Sequence, residues 1–196
     1  MNDVGLRERK MRQTRDQIAE SALHLFLERG YDATTLEEVA DRAEVHKRTL
    51  LRYFPSKAHL VLHGYHSSLE VFREMMDARG PRLTIDVWQE HVEDRARRQA
   101  RRGPLANIRK IARTEPALEG AYLSIQARYQ AVVLEGLLAD LADRPNCEVL
   151  ARVAASALVA GNYAVGAMIF EREAYDEIEG AEAQVIALVR DHLLTG

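Results

Sequence analysis

The sequence predicts an all-α protein of about nine helices, divided into a short N-terminal domain and a longer C-terminal one. Three observations predict this class. Apolar residues recur at helical spacing along most of the chain. Capping residues and Gly or Pro breakers cut that pattern into helix-sized pieces. No stretch alternates apolar and polar residues as a half-buried strand does, and no repeat or low-complexity tract interrupts the pattern.

The first helix places Ile18, Ala22, Leu25, Phe26 and Arg29 on one face, with Leu23 and Leu27 widening it, and Gly30 stops it. Thr34-Thr35-Leu36-Glu37-Glu38 holds two overlapping capping boxes, either of which starts a short second helix over about 35–42. A turn covers Ala43 to His46. A third helix runs from Lys47 to Phe54, where Pro55-Ser56 breaks it. Ser56 can cap a long fourth helix from about Lys57, which ends at Arg79-Gly80-Pro81. A fifth helix spans Thr84 to about Arg101, Gly103-Pro104 breaks it, and a short sixth reaches Thr114. Glu115 to Leu141 gives the seventh, with Leu118, Tyr122, Ile125, Tyr129, Val132 and Val133 on one stripe. After the loop Asp143 to Asn146, an eighth helix runs from Cys147 to about Glu171. An acidic connector, Glu171 to Glu179, leads to a ninth over roughly 181–194. The expected domains are 1–56 and 57–196.

Composition narrows the classes further. A chain of 196 residues is long enough for one or two domains with a buried core. The single cysteine, Cys147, removes any internal disulfide framework and fits a reducing cytoplasm. Arg7, Arg9, Lys10, Arg12 and Arg15 open the chain without the apolar run that a signal peptide needs. Val153 to Phe170 carries no charge, but Ser156, Gly161, Asn162, Tyr163 and Gly166 interrupt it. It reads as a helix buried in a protein or a dimer interface, and no membrane partner is expected.

The net charge of −3 hides a local pattern. From Arg42 to Leu60 there are five basic residues, Arg42, Lys47, Arg48, Arg52 and Lys57, against one acidic, Glu44. A nucleic-acid footprint is a local patch, so this window is the relevant test. Starting at Leu36, the spacing of a helix-turn-helix requires buried residues at Val39, Ala43, Val45, Leu50 and Tyr53, and a small one at Ala40. All six positions comply. On the third helix, Lys47, Leu51, Arg48 and Arg52 fall within about 140° of one another, opposite Leu50 and Tyr53. Cations reach guanine edges and phosphates, and an apolar side chain can touch a thymine methyl.

In this region the sequence resembles the TetR family of one-component regulators. The resemblance covers about Thr14 to Leu60. It rests on Ala22-Leu23-His24-Leu25-Phe26, Glu28-Arg29-Gly30-Tyr31, Thr34 to Ala40, Ala43, Val45, Thr49-Leu50, Tyr53-Phe54 and Ser56-Lys57. It implies a homodimer on double-stranded DNA. Thr34 and Thr35, Tyr53 and Lys57 would grip phosphates, while His46, Lys47, Arg48 and Leu51 face bases with Arg52 beside them. Arg12 and Arg15 would add backbone or minor-groove contacts. Three residues depart from the family pattern. Glu44 stands where glycine usually turns, His46 replaces a serine cap, and Leu51 replaces a tyrosine.

The resemblance also implies that the last two helices dimerise and that the preceding ones hold a small-molecule effector of unknown identity. Small residues on the eighth helix (Ala157, Ala160, Gly161, Ala164, Ala167) and Val185, Leu188, Val189 and Leu193 on the ninth fit a four-helix dimer bundle. Phe72, Met76, Trp88, His91, Tyr122, Gln126, Tyr129 and Asn162 are the pocket candidates, being large apolar or polar-tipped residues on inward faces. His59, His63 and His66, with Glu70, have the spacing of a metal stripe. The stripe lies off the apolar face and runs on into Arg73 and Asp77, so a solvated face is expected and no metal. Arg95 to Arg113 holds eight basic residues and no acidic one, and it too reads as a solvated face.

There is no phosphate-cradling glycine loop, nucleophile elbow or convincing metal-ligand pair, so neither an enzyme nor a cofactor is expected. The expected function is a ligand-responsive transcriptional regulator, a repressor binding a pseudo-palindromic operator as a homodimer. The alternative is a helical interaction protein whose helix-turn-helix no longer binds DNA.

Overall fold

The computed structural model describes residues 3–100, 116–172 and 174–194. Eight α-helices lie among them: α1 (Asp3–Arg29), α2 (Leu36–Arg42), α3 (Lys47–Tyr53), α4 (Lys57–Asp77), α5 (Thr84–Ala100), α6 (Pro116–Asp140), α7 (Cys147–Glu171) and α8 (Ile178–Val189). No strand occurs among the described residues. The expected sixth helix, the Gly103-Pro104 break and the basic residues from Arg101 to Arg113 lie outside them. Labels α6 to α8 therefore correspond to the seventh to ninth helices expected from sequence.

The helix ends follow from their residues. Gly30 closes α1 at φ +91°, a conformation that costs glycine little, and its N–H bonds to Phe26 O at 3.0 Å. Of the two possible capping boxes, the second forms. Thr35 accepts from Glu38 N at 3.2 Å, and Glu38 accepts from Thr35 N at 2.8 Å. α3 stops at Tyr53, one residue before the expected end. Phe54 precedes Pro55 and is extended at φ −136°, because a residue before proline is driven out of the helical region.

The end of the chain differs from expectation. Within the acidic connector a 3₁₀ turn forms at Tyr175–Glu177, and α8 starts at Ile178 rather than near 181. Ile178 is buried with Ala96 of α5 and Ile169 of α7, so an apolar anchor starts the helix early. The last turn widens into a π-helix, Arg190–Leu194. Arg190 is held there by Asp86 at 2.8 Å and Gln89 at 3.1 Å, and Leu194 O accepts from Arg144 at 2.8 Å.

The described residues form two compact units. One contains those up to Gly64 together with 116–119, and the other those from Tyr65 to residue 100 and from Gly120 onward. The edge expected at Pro55-Ser56 thus falls inside α4, because the first two turns of α4 pack with the first unit. His63 lies 2.9 Å from Asp16 and edge-on to Phe54, with ring centroids 5.3 Å apart. In the first unit Ile18, Ala22, Phe26, Val39, Leu50 and Leu60 form the core. Each large apolar side chain so buried contributes about 1.5–3 kcal/mol. In the second unit α7 packs on α8, and α8 on α5.

α7 is the one helix among the described residues that is long and apolar enough to cross a membrane by length and composition. Ala151, Ala154, Leu158, Asn162 and Ile169 bury one of its faces within the protein.

Candidate nucleic-acid interface and aromatic core

In the first unit, α2 and α3 pack together across a turn centred on Glu44. This residue sits at φ 54°, the left-handed conformation that disfavours a side chain. Val45 N bonds back to Ala40 O at 2.9 Å and closes the turn. Val39, Ala40, Ala43 and Leu50 are buried as the spacing required, whereas Val45 and Tyr53 are half-buried. His46 precedes α3 without a side-chain cap bond.

The outer face of α3 is open. His46, Lys47, Arg48, Leu51 and Arg52 are all exposed, Leu51 by 40%. Arg52 lies over the Tyr53 ring at 5.2 Å. Lys47 donates to Glu37 of α2. That hydrogen bond holds the Glu37 carboxyl below the usual carboxylate range. Arg42 grips Glu28 with two bonds of 2.7 and 2.8 Å, which lowers Glu28 and raises Arg42. These acidic partners on neighbouring helices carry no signal in linear spacing.

Two of the eleven residues assigned to DNA from sequence are used differently. Thr34 is 1% exposed and donates its hydroxyl to Gly30 O at 2.8 Å, so it closes the α1–α2 turn and presents nothing outward. Lys57 turns its ammonium onto Tyr31 O at 2.8 Å and Asp32 O at 3.3 Å, and it lies 4.5 Å over the Tyr31 ring. Its charge is occupied inside the unit. The Thr35 side chain is exposed but engaged in the capping box. Arg15 is half-buried, with its guanidinium 5.8 Å over the Phe54 ring.

The histidine stripe is not a uniform solvated face. His59 is exposed and lies 2.8 Å from Ser56 Oγ, whereas His63 is buried in the pair with Asp16 described above. His66 and Arg128, both in the second unit, lie 3.4 Å apart. Sequence spacing placed the three on one stripe without showing that α1 and Phe54 cover its middle.

In the second unit four of the eight pocket candidates pack together. Phe72, Trp88, His91 and Tyr129 are buried and pack ring against ring, with centroids between 4.9 and 5.9 Å apart. Tyr122 stacks near Tyr65 at 5.1 Å and Tyr163 at 5.2 Å, and its hydroxyl accepts from Gln126 at 2.7 Å. Met76 lies against Gly136, where a Cβ would come within 2.5 Å of its Cε. Asn162 is buried on α7. His91 Nε2 lies 3.4 Å from both Ser68 Oγ and Tyr129 Oη. Burial, then the charges of Arg95 and Arg98, push His91 down to about 3, so its ring is neutral near pH 7.

Arg95 corrects the expectation of a solvated basic face. It bonds to Glu182 of α8 at 2.7 Å, and Glu182 is 1% exposed. Burial opposes its charge, but the Glu182 carboxylate and the nearby Tyr129, Tyr122 and Tyr65 raise its pKa overall. Arg97 and Arg98 do lie at the surface, within reach of Glu93, Glu179 and Asp94.

The proposed interface residues also divide. A Cβ on Gly161 would lie 2.7 Å from Val185 Cγ1, so this close helix approach is used within the chain. Val189 is buried and Leu193 half-buried in the same chain. Ala157 is half-buried, while Ala164 and Leu188 are exposed, Leu188 by 59%. Val149, Val153, Ala160 and Met168 extend this exposed apolar stripe along α7.

Residues 18–63 match the bacterial regulatory proteins of the tetR family. The chain is 45% identical over 78 residues to the HTH-type transcriptional regulator TcmR of Streptomyces glaucescens, covering 40% of this chain and 34% of TcmR. It is 39% identical over 80 residues to the HTH-type transcriptional repressor KstR of Rhodococcus jostii, covering 41% and 36%. The matched segment thus spans about a third of these curated relatives. The fold is shared over nearly the whole length with SmeT of Stenotrophomonas maltophilia, solved with triclosan (TM-score 0.70, 15% identity, 93% of this chain and 95% of that one). It is shared equally with FadR of Bacillus subtilis, solved with stearoyl-CoA (TM-score 0.67, 16% identity, 89% and 97%). With the helix-turn-helix geometry, these likenesses make residues 18–63 similar to the bacterial regulatory proteins of the tetR family, and the SmeT and FadR structures share the all-helical fold.

Proposed function

We propose that the chain is a cytoplasmic repressor that binds a pseudo-palindromic operator as a homodimer and is released by a small molecule held in its second unit. The observation that carries the reading is the outer face of α3, where Lys47, Arg48, Leu51 and Arg52 stand exposed around one side of a packed helix-turn-helix. Two such faces in successive major grooves, about 34–36 Å apart, would read two half-sites. The repressor name of KstR and the small molecules in the SmeT and FadR structures support the rest by likeness.

The apolar stripe of Val149, Val153, Ala160, Ala164 and Met168 with Leu188 supports the dimer, because a two-fold axis would cover it with its own copy. A gel shift of the purified chain on its own promoter region tests the reading. A shifted band that weakens steeply with salt is expected. No shift at low salt would favour a helical interaction protein with a degenerate helix-turn-helix.

A further inference from the structure

The cations of the helix-turn-helix are not all at liberty to meet DNA. Of the five between Arg42 and Leu60, Arg42 is gripped by Glu28, and Lys57 donates to the Tyr31 and Asp32 carbonyls. Lys47, the first residue of α3, donates to Glu37, the second residue of α2. Of these three engaged cations, Lys47 is the one on the outer face of α3. Its side chain is 49% exposed and that of Glu37 is 56% exposed, so the pair stands at the surface where DNA would lie.

The pair is not what forms either helix. α2 is capped by Thr35 and Glu38, and α3 begins after His46 without a side-chain cap bond. A lone exposed ion pair also adds little to stability. What it does fix is the place of the Lys47 ammonium. A lysine ammonium on its flexible stem is a mobile point charge, able to reach a phosphate on DNA of any sequence. It has three N–H donors, so one can stay on Glu37 while others meet base acceptors such as guanine O6 and N7.

We propose that Glu37 is a specificity-determining positioning residue, which tethers the Lys47 ammonium over the reading face of α3 and keeps it from phosphates on non-cognate DNA. The inference rests on the operator-binding reading above and deepens it. A cognate base contact is made with the pair intact. A phosphate contact on other DNA requires Lys47 to leave Glu37, and the lost pair weakens that complex.

The test is fluorescence anisotropy of the full chain on its own promoter fragment and on a scrambled fragment, across a salt series. Glu37→Gln should lower the preference for the promoter by about three- to fivefold, the worth of an exposed pair, mainly by tightening the scrambled complex. Its salt slope on the scrambled fragment should steepen by about 1, for one phosphate gained. In a Lys47→Ala background, Glu37→Gln should change neither the preference nor the slope. Thermal melts check that each variant is folded. Unchanged preference and slope in Glu37→Gln, or equal changes with and without Lys47, would overturn the role of Glu37 and leave the operator reading standing. Equal changes would mean that the carboxylate merely repels DNA. A wild-type chain that shows no preference for its promoter would overturn the operator reading itself. The pair is also read without DNA, by carbon NMR titration of the Glu37 carboxyl. Its midpoint should rise toward the ordinary carboxylate value in Lys47→Ala. The same midpoint in both proteins would overturn the tether.

Discussion

Arg95 of α5 donates to Glu182 of α8 across 2.7 Å, joining two helices whose residues lie 87 positions apart in the chain. A buried pair of this kind is costly to break and cheap to replace. Glu182→Ala should destabilise the second unit by about 3 kcal/mol, because the Arg95 guanidinium is left unmatched. The double variant Arg95→Met, Glu182→Leu should recover most of that loss, as read by thermal melts in a double-mutant cycle. Additive losses would show that the two side chains do not act as a pair.

His91 gives the fold a pH dependence of known sign. Burial first, then Arg95 and Arg98, depress its folded pKa to about 3, below its ordinary value near 6.5. Below 6.5 the unfolded chain takes up a proton that the folded chain refuses. The stability is therefore full above pH 6.5 and declines as pH falls toward 3, by up to about 1.4 kcal/mol per unit. His91→Phe should flatten the profile between pH 6.5 and 4.5, measured by urea melts against pH. An unchanged slope would place the titration elsewhere.

Glu44 holds the turn between α2 and α3 at φ 54°. Glu44→Gly should raise stability by about 1 kcal/mol by relieving that conformation, while Glu44→Ala should give no such gain. The same glycine variant removes a negative charge beside the cationic face of α3. Its affinity for any DNA should rise, most visibly at low salt, in fluorescence anisotropy.

The proposed dimer rests on the exposed apolar stripe. Leu188→Glu, Val153→Glu or both together should convert a dimer to a folded monomer in sedimentation velocity, with helical content by circular dichroism unchanged. Gly161→Leu should act differently. It drives a side chain into Val185 and should destabilise each chain, whatever the oligomeric state.

Local chemistry was legible in the sequence. The capping box, the glycine after α1, the buried spacing of the helix-turn-helix and the left-handed position of Glu44 are all set by residues a few positions apart. What depended on distant segments was not. Thr34 and Thr35 are equivalent in a linear motif, and only the packing of α1 against α2 decides which one closes the turn. Lys57 reads as a phosphate contact until Tyr31 and Asp32, 26 and 25 residues earlier, are seen to hold it. Arg95 reads as surface in a basic run because its partner lies on α8. Phe72, Trp88, His91 and Tyr129 pack together, because each was chosen from an inward helical stripe. That the buried amide of Asn162 has no hydrogen-bond partner among the described residues could not have been found that way, since satisfaction of a polar group is a property of its neighbours.

The most direct measurement of the central reading is operator binding by Lys47→Ala and Arg48→Ala, compared with Lys57→Ala, on the chain's own promoter fragment and on a scrambled fragment. Lys47→Ala and Arg48→Ala should each lose about 1–3 kcal/mol of preference for the promoter over the scrambled sequence. Lys57→Ala should lower the melting temperature while keeping the preference, because its ammonium serves Tyr31 and Asp32. Full sequence preference in both α3 variants would contradict the assignment of α3 as the reading helix.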